Sequence, residues 1–376
     1  MYPQELIDEI LDNLHDSPSA LKACSLVSHQ FYPRTRDHLF SFVDCPTYPD
    51  EARIFDIARD SPELLQCIKH VQFQCLNFFL PPYRTATFEV LHSLPSPMTL
   101  SLRNDGARVN FLTEECEWWQ ILPGLISSAP YLAVTRLEFK RPRWSTFLEF
   151  HHIVLSFPNV TELYISDLTE LYEPDDPAMP VSPAPRIKIL HVDSFGPISA
   201  FWEGLHSYRS VYLDHLEEFY TISDFPKDPG AIVQAANSVS KGLKVLEITF
   251  WDNASLLRLN ATTDLRLGGD LNNNMLPFIN WWIECFQVVE KESIVMDRLT
   301  IRMVGKGPPV TPGQLEPIKR AFEELSDLLS RLVRNVDLVF QLKDYEAHPD
   351  LSTDCLRGAI IDACKVLGKT NSRILI

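Results

Sequence analysis

Val134-Thr135-Arg136-Leu137-Glu138-Phe139, Val160-Thr161-Glu162-Leu163-Tyr164-Ile165 and Ile187-Lys188-Ile189-Leu190-His191-Val192 are three copies of one small pattern. Each has an apolar residue, two variable residues, a second apolar residue, one variable residue and a third apolar residue. Side chains alternate along a strand, so the second and third apolar residues point to one face and the residue between them to the other. The second apolar positions, Leu137, Leu163 and Leu190, stand 26 and then 27 residues apart. In a chain that is 45% apolar, isolated matches arise by chance, and the even interval is what sets these copies apart.

Working outward, the pattern returns at Val71-Gln72-Phe73, Val211-Tyr212-Leu213, Leu246-Glu247-Ile248, Leu299-Thr300-Ile301 and Val336-Asp337-Leu338, each with an apolar or aromatic residue three positions before it. Weaker copies sit at Leu100-Ser101-Leu102 and Leu265-Arg266-Leu267. Helical segments fall between the copies: one opening at Thr113-Glu114-Glu115, then Thr146–Ser156, Pro197–His206, Ala231–Ser240, Leu276–Val289 and Pro312–Leu332, with Asp354–Leu367 closing the series. Strand and return helix at a period under about forty residues resemble the leucine-rich repeat. The turn asparagine of a regular repeat is missing from nearly every copy, and the interval from Leu246 to Leu299 stretches to 53 residues. The repeats are therefore degenerate. The expected fold class is α/β, an irregular leucine-rich-repeat-like solenoid with parallel strands and outer helices over 46–376, behind a helical domain over 1–45.

That first segment begins Pro3-Gln4-Glu5-Leu6-Ile7, with Pro3 where a first-turn proline is tolerated. Leu6, Ile7, Ile10, Leu11 and Leu14 then share one helical face. Ser17-Pro18 is a second start signal, a capping hydroxyl followed by proline, and Leu21, Cys24, Val27 and Phe31 make the next stripe. Residues 30–59 read on as helical. Two short amphipathic helices cannot bury both faces on each other, so further cover is needed.

Pro-x-Glu-Leu, an Ile four residues on, a Leu four after that, then Leu21, Ala23-Cys24-Ser25-Leu26-Val27-Ser28 and Phe31 resemble the F-box. The closest likeness is to fungal F-box proteins with degenerate leucine-rich repeats. The resemblance implies a substrate-recognition subunit of a Skp–cullin–F-box ubiquitin ligase, with Pro3, Leu6, Ile10, Leu14, Leu21, Val27 and Phe31 facing the Skp-type adaptor. It departs from the pattern at Tyr2, where leucine is usual, and at Phe31, where tryptophan is usual.

In such a repeat body the residues between the apolar pairs line a recognition surface for a protein substrate. Those positions, with their neighbours, are Arg136, Glu138, Glu162, Tyr164, His191, Tyr212, Asp214, Glu247 and Thr300. Exposed strand positions are polar in any case, so the same residues also fit a plain solvated face. Two alternatives to the ligase reading stay open: a repeat scaffold whose N-terminal helices are only a cap, and an enzyme using paired carboxylates in a repeat cleft.

Composition narrows the partners. A net charge of −16 argues against nucleic-acid or anionic-membrane binding, since both need a basic face. Eight cysteines without a Cys-x-x-Cys pair read as reduced thiols. Acidic residues within the first ten positions argue against a signal peptide, and no apolar run approaches the ~18 residues of a membrane span. The expected compartment is cytoplasm or nucleus.

Nothing in the sequence calls for a cofactor, a metal or catalysis. Ala363-Cys364-Lys365-Val366-Leu367-Gly368-Lys369-Thr370 fits a relaxed phosphate-loop pattern, but a helix precedes it where a strand is needed. Adjacent His151 and His152 point about 100° apart on a helix and share no metal face. Trp118-Trp119 and Trp281-Trp282 read as core rather than as ligand cages.

Overall fold

A computed structural model describes residues 3–45, 51–74, 91–95, 97–103, 131–142, 147–168, 184–194, 201–202, 204–205, 211–223, 237, 243–250, 264–270, 275–291, 296–304, 312–341, 353–364 and 373–375. The helices expected around Thr113–Trp119 and over Ala231–Ser240 lie outside the described residues, Asn237 excepted, as does the end of the phosphate-loop-like stretch, 365–370. The chain forms two compact units. One comprises Met1–Asp167, Leu171–Arg186 and Tyr208–Val211, and the other Leu168–Glu170, Ile187–Ser207 and Tyr212–Ile376. The architecture is mixed α/β, and every described strand pairing is parallel.

The first unit opens with α1 (Gln4–Asp12), α2 (Pro18–Val27) and α3 (Tyr32–Leu39). Pro3 stands just before α1 and its carbonyl accepts the Ile7 N–H at 3.3 Å. Ser17 precedes α2 as expected, but its hydroxyl makes no cap bond; its carbonyl takes the Leu21 N–H instead. The strands are β1 (Phe42–Cys45), β2 (His70–Gln74), β3 (Met98–Arg103), β4 (Val134–Lys140) and β5 (Glu162–Leu168). Between them lie α4 (Glu51–Asp60), a 3-10 turn (Pro62–Cys67) and α5 (Phe147–Leu155). The strands follow sequence order.

Register explains the sequence pattern. Val43, Val71, Leu100, Leu137 and Leu163 are in line across β1–β5, and Phe73, Leu102, Phe139 and Ile165 form a second buried row. Each buried branched or aromatic side chain contributes roughly 1.5–3 kcal/mol. Following the paired residues Lys140 and Ser166 come Arg141, just past β4, and Asp167, in β5. Both have positive φ, 53° and 58°, and Arg141 Nε reaches Asp167 Oδ2 at 3.1 Å. The left-handed backbone that glycine or asparagine usually adopts is here taken by two side chains that form an ion pair.

The second unit holds β6 (Ile189–Ser194), β7 (Glu218–Ser223), β8 (Val245–Phe250), β9 (Asp264–Asp270), α6 (Met275–Lys291), β10 (Met296–Val304), α7 (Pro312–Leu332), β11 (Val333–Gln341), α8 (Thr353–Ala363) and β12 (Arg373–Leu375). Leu190, Phe219, Leu246, Leu265, Leu299 and Val336 make its first buried row. α6 lies against α7, where Arg331 Nε meets Glu290 Oε1 at 2.8 Å. Trp281 and Trp282 are both buried in α6, as a core reading requires.

Three strands depart from the sequence expectation. Residues 42–45 are not helical but form β1, so the strands begin inside the 1–45 segment. Val211-Tyr212-Leu213 is not a strand: Tyr212 makes one short bridge, its carbonyl accepting the Ile187 N–H at 3.0 Å, and a turn at Asp214-His215 follows. The strand lies further on, at β7. β12 was not anticipated. Among the described residues, no helix is long and apolar enough to cross a membrane.

Candidate functional site

The first candidate surface lies on α1–α3. Ile7, Leu11 and Leu21 form a small core, with Leu14, Cys24, Phe31 and Leu39 packed against it. The expected five-residue apolar face is therefore split, with Ile7 and Leu11 of α1, and Leu14 in the turn after it, turned inward. Leu6 is 48% and Ile10 57% exposed, and at the end of α2 Leu26 is 88% and Val27 74% exposed. Pro3 and Tyr32 are exposed as well. Of the seven residues matched to the adaptor-facing pattern, Pro3, Leu6, Ile10 and Val27 are thus available to a partner. Leu14 and Phe31 are half-buried, and Leu21 lies inside the core, where its part is to hold the helices together. Leu26 is the most exposed of these apolar side chains and was absent from the sequence set.

A polar clasp fixes α1 on α3. Asp12 Oδ1 accepts from Arg34 Nε at 2.6 Å and from His38 Nε2 at 2.7 Å, and Oδ2 accepts from Arg34 Nη2 at 2.8 Å. The Arg34 hydrogen bonds, then that of His38, hold the Asp12 carboxyl down to about 2. Carboxylates are disfavoured near a helix C-terminus by the macrodipole, so Asp12 owes its place to these cations.

The second candidate surface is the outward side of the strands. In the first unit Asp44, Gln72, Ser101, Glu138 and Tyr164 are in line across β1–β5, beside a row of Phe42, His70, Thr99, Arg136 and Glu162. Arg136, Glu162 and Tyr164 are half-exposed, but Glu138 is buried. A chain of contacts covers it. Ser101 Oγ donates to Glu138 Oε2 at 2.6 Å, Arg136 Nε donates to Glu138 Oε1 at 2.8 Å, and Lys140 Nζ stands 3.5 Å from the carboxylate. Lys140 also donates to Gln72 Oε1, and the Arg136 guanidinium lies 3.9 Å from the centre of the Tyr164 ring. Burial works to raise the Glu138 pKa, but the Ser101 bond and the Arg136 and Lys140 charges outweigh it and leave it below the ordinary value.

His70 Nε2 lies 2.7 Å from Ser101 Oγ, and the Phe42 ring meets the imidazole edge-on. Histidine, serine and glutamate in contact suggest a nucleophile at first sight, but the order is wrong for one. In a catalytic triad the histidine stands between hydroxyl and carboxylate and takes the hydroxyl proton. Here the hydroxyl stands between them and gives its proton to Glu138, so His70 donates to it. Burial keeps the His70 pKa below its ordinary value, which suits a neutral donor. The network holds the face rigid.

Glu138→Ala is expected to destabilise the first unit by about 1–3 kcal/mol, because it takes the acceptor from the buried Ser101 hydroxyl and leaves a cavity beneath Arg136, which keeps Glu162 and the Tyr164 ring. Ser101→Ala leaves Glu138 with both its cations and is expected to cost less. Urea unfolding followed by circular dichroism checks the order; Ser101→Ala as costly as Glu138→Ala would contradict it.

In the second unit His191, Tyr220, Glu247, Arg266, Thr300 and Asp337 form one outward row across β6–β11. His191, Glu247 and Thr300 are where alternation puts them, half-exposed. Tyr212 and Asp214 are exposed, but on the bridge and turn before β7 and not on the row. The β7 residue of the row is Tyr220, which the sequence reading missed. Phe219-Tyr220-Thr221 lies 29 residues after Leu190 and 27 before Leu246, an interval that signals it despite the threonine in an apolar position. Among the described residues, no cluster of three or more His, Cys, Asp or Glu is placed to hold a metal ion. No family model and no curated protein matches the chain.

Proposed function

We propose that this chain is a substrate-recognition subunit of a Skp–cullin–F-box ubiquitin ligase, working in the cytoplasm or nucleus. α1–α3 would dock on a Skp-type adaptor and, through it, a cullin. The strand-bearing body, a degenerate leucine-rich-repeat-like solenoid with outer helices, would hold a protein substrate. The mechanism is proximity: a target held beside the transferring enzyme reacts at raised effective concentration.

The observation that carries the reading is the division of α1 and α2 into two apolar sides. One side is consumed by the chain's own core, while Leu6, Ile10, Leu26 and Val27 remain at the surface on the segment that resembles the F-box. Leu6 and Ile10 stand one turn apart on α1, and Leu26 and Val27 are adjacent on α2; large apolar side chains left exposed in this number on one short segment mark a protein-docking surface. The consecutive parallel strands with helices between them support the solenoid reading.

The test is co-expression with a Skp-type adaptor and size-exclusion chromatography. A one-to-one complex is expected, and Leu6→Asp with Ile10→Asp is expected to abolish it while leaving the circular dichroism spectrum unchanged, since both side chains are exposed. No complex from a folded, monodisperse chain would leave a repeat scaffold in place of the ligase subunit.

A further inference from the structure

The two outward strand faces differ in how far their charges are satisfied. In the first unit, Glu138 and Glu162 both contact the Arg136 guanidinium, and Glu138 has Lys140 besides. On β7–β9 of the second unit the outward positions carry three carboxylates, Glu218, Glu247 and Asp264, against one guanidinium, Arg266. Arg266 is drawn to Asp264 at 3.0 Å and to Glu247 at 3.7 Å. Among the described residues, Glu218 has a neutral partner, the Tyr220 hydroxyl at 2.7 Å, and no cation.

Tyr220 stands at the centre of this face. His191 stacks on its ring, with centroids 5.8 Å apart. Burial pushes its phenol up, and the Glu218 bond and the Glu218 and Glu247 charges push it further, opposed only by Arg266. The hydroxyl thus sits in a negative field with its proton committed to Glu218. An electron-rich ring beside carboxylates is the chemistry that receives a cationic side chain, which gains from the ring face and from the acids together.

We propose that the face of β6–β9 in the second unit docks an extended segment of a partner protein that presents lysine or arginine over Tyr220, between Glu218 and Glu247. This rests on the reading of the strand face as the substrate-docking surface and names the substrate class. The charge complementarity is local: on the matching face of the first unit Glu138 and Glu162 are covered by Arg136 and Lys140, and Asp44 is bonded by the Gln72 amide.

Fluorescence anisotropy on the full chain tests it, with a labelled peptide of alternating glycine and lysine as probe and a glycine–glutamate peptide as counter-probe. The lysine peptide is expected to bind, and Glu218→Gln with Glu247→Gln to weaken it about tenfold. Glu284→Gln with Glu323→Gln, which removes equal charge from exposed positions of α6 and α7, is expected to leave affinity within about twofold. Equal losses in both double variants would reduce the effect to diffuse attraction by an acidic chain and overturn the proposal. So would absence of binding, or preference for the glutamate peptide. The Leu6→Asp, Ile10→Asp chain keeps this face. Peptide binding without adaptor binding would therefore sink only the ligase reading, and adaptor binding without peptide binding only this inference.

Discussion

Leu11→Ala is expected to lower stability by about 2–5 kcal/mol, the usual cost of truncating a buried leucine, whereas Ile10→Ala, one residue away, is expected to change it by less than about 0.5 kcal/mol. Leu11 is fully buried against Ile7 and Leu21, with Leu14, Phe31 and Leu39 around them. So small a core has little to spare, and a loss of that size is a large fraction of what holds α1 in place. Ile10 contributes nothing to this core. Both variants are expected to lose adaptor binding, Leu11→Ala because the docking surface comes apart and Ile10→Ala because an intact surface lacks a contact. Hydrogen exchange of the α1–α3 amides, read beside the chromatography, separates the two routes. Equal protection in both variants would show that α1 is not held by the side of the helix assigned here.

The sequence announces that α1 is amphipathic, but not that its apolar face is used twice. Leu6, Ile7, Ile10, Leu11 and Leu14 share one stripe. Which of them face inward depends on where α3 lies, and that is set by Asp12 meeting Arg34 and His38 from 22 and 26 residues away. Periodicity carries no such long-range term. The strand pattern is more local and so more legible. β2–β6 and β8–β11 were visible because an alternating strand with one buried face repeats the same apolar pair.

β1 failed because its four residues follow a helix directly and present one clear apolar pattern position, Val43. β7 failed because Thr221 stands where the pattern wants an apolar residue, while Val211-Tyr212-Leu213 offers a better imitation nearby. The Thr221 hydroxyl is buried and has no hydrogen-bond partner among the described residues, so the residue goes against polar satisfaction as well as pattern. Alternation also gives a side chain's direction but not its depth. Glu138 points outward as expected, yet Arg136, Lys140 and Ser101 close over it.

The same limit applies to His151, whose burial sets the second large expectation: a steep loss of stability in mild acid. Phe147, Phe150 and Val154 make the inward stripe of α5, and His151 fills the remaining position of that 3.6-residue period. It is 1% exposed. Burial, helped by the neighbouring His152, lowers its pKa from 6.5 to about 4. The folded chain therefore keeps His151 neutral where the unfolded chain would already be protonated. Stability from this group is present in full above about pH 6.5 and is lost as pH falls toward 4, by about 3 kcal/mol over the window. Burial also lowers His70 and His152, so their contributions have the same sign. Glu138, held below the usual glutamate value, adds its loss only at lower pH. His151→Leu removes the titrating group and is expected to flatten the slope between pH 6.5 and 4, whatever it does to stability at pH 7. Urea midpoints at half-unit steps of pH measure that slope. A variant with the slope of the parent would mean that the acid sensitivity of the first unit resides in His70 and the network around Ser101.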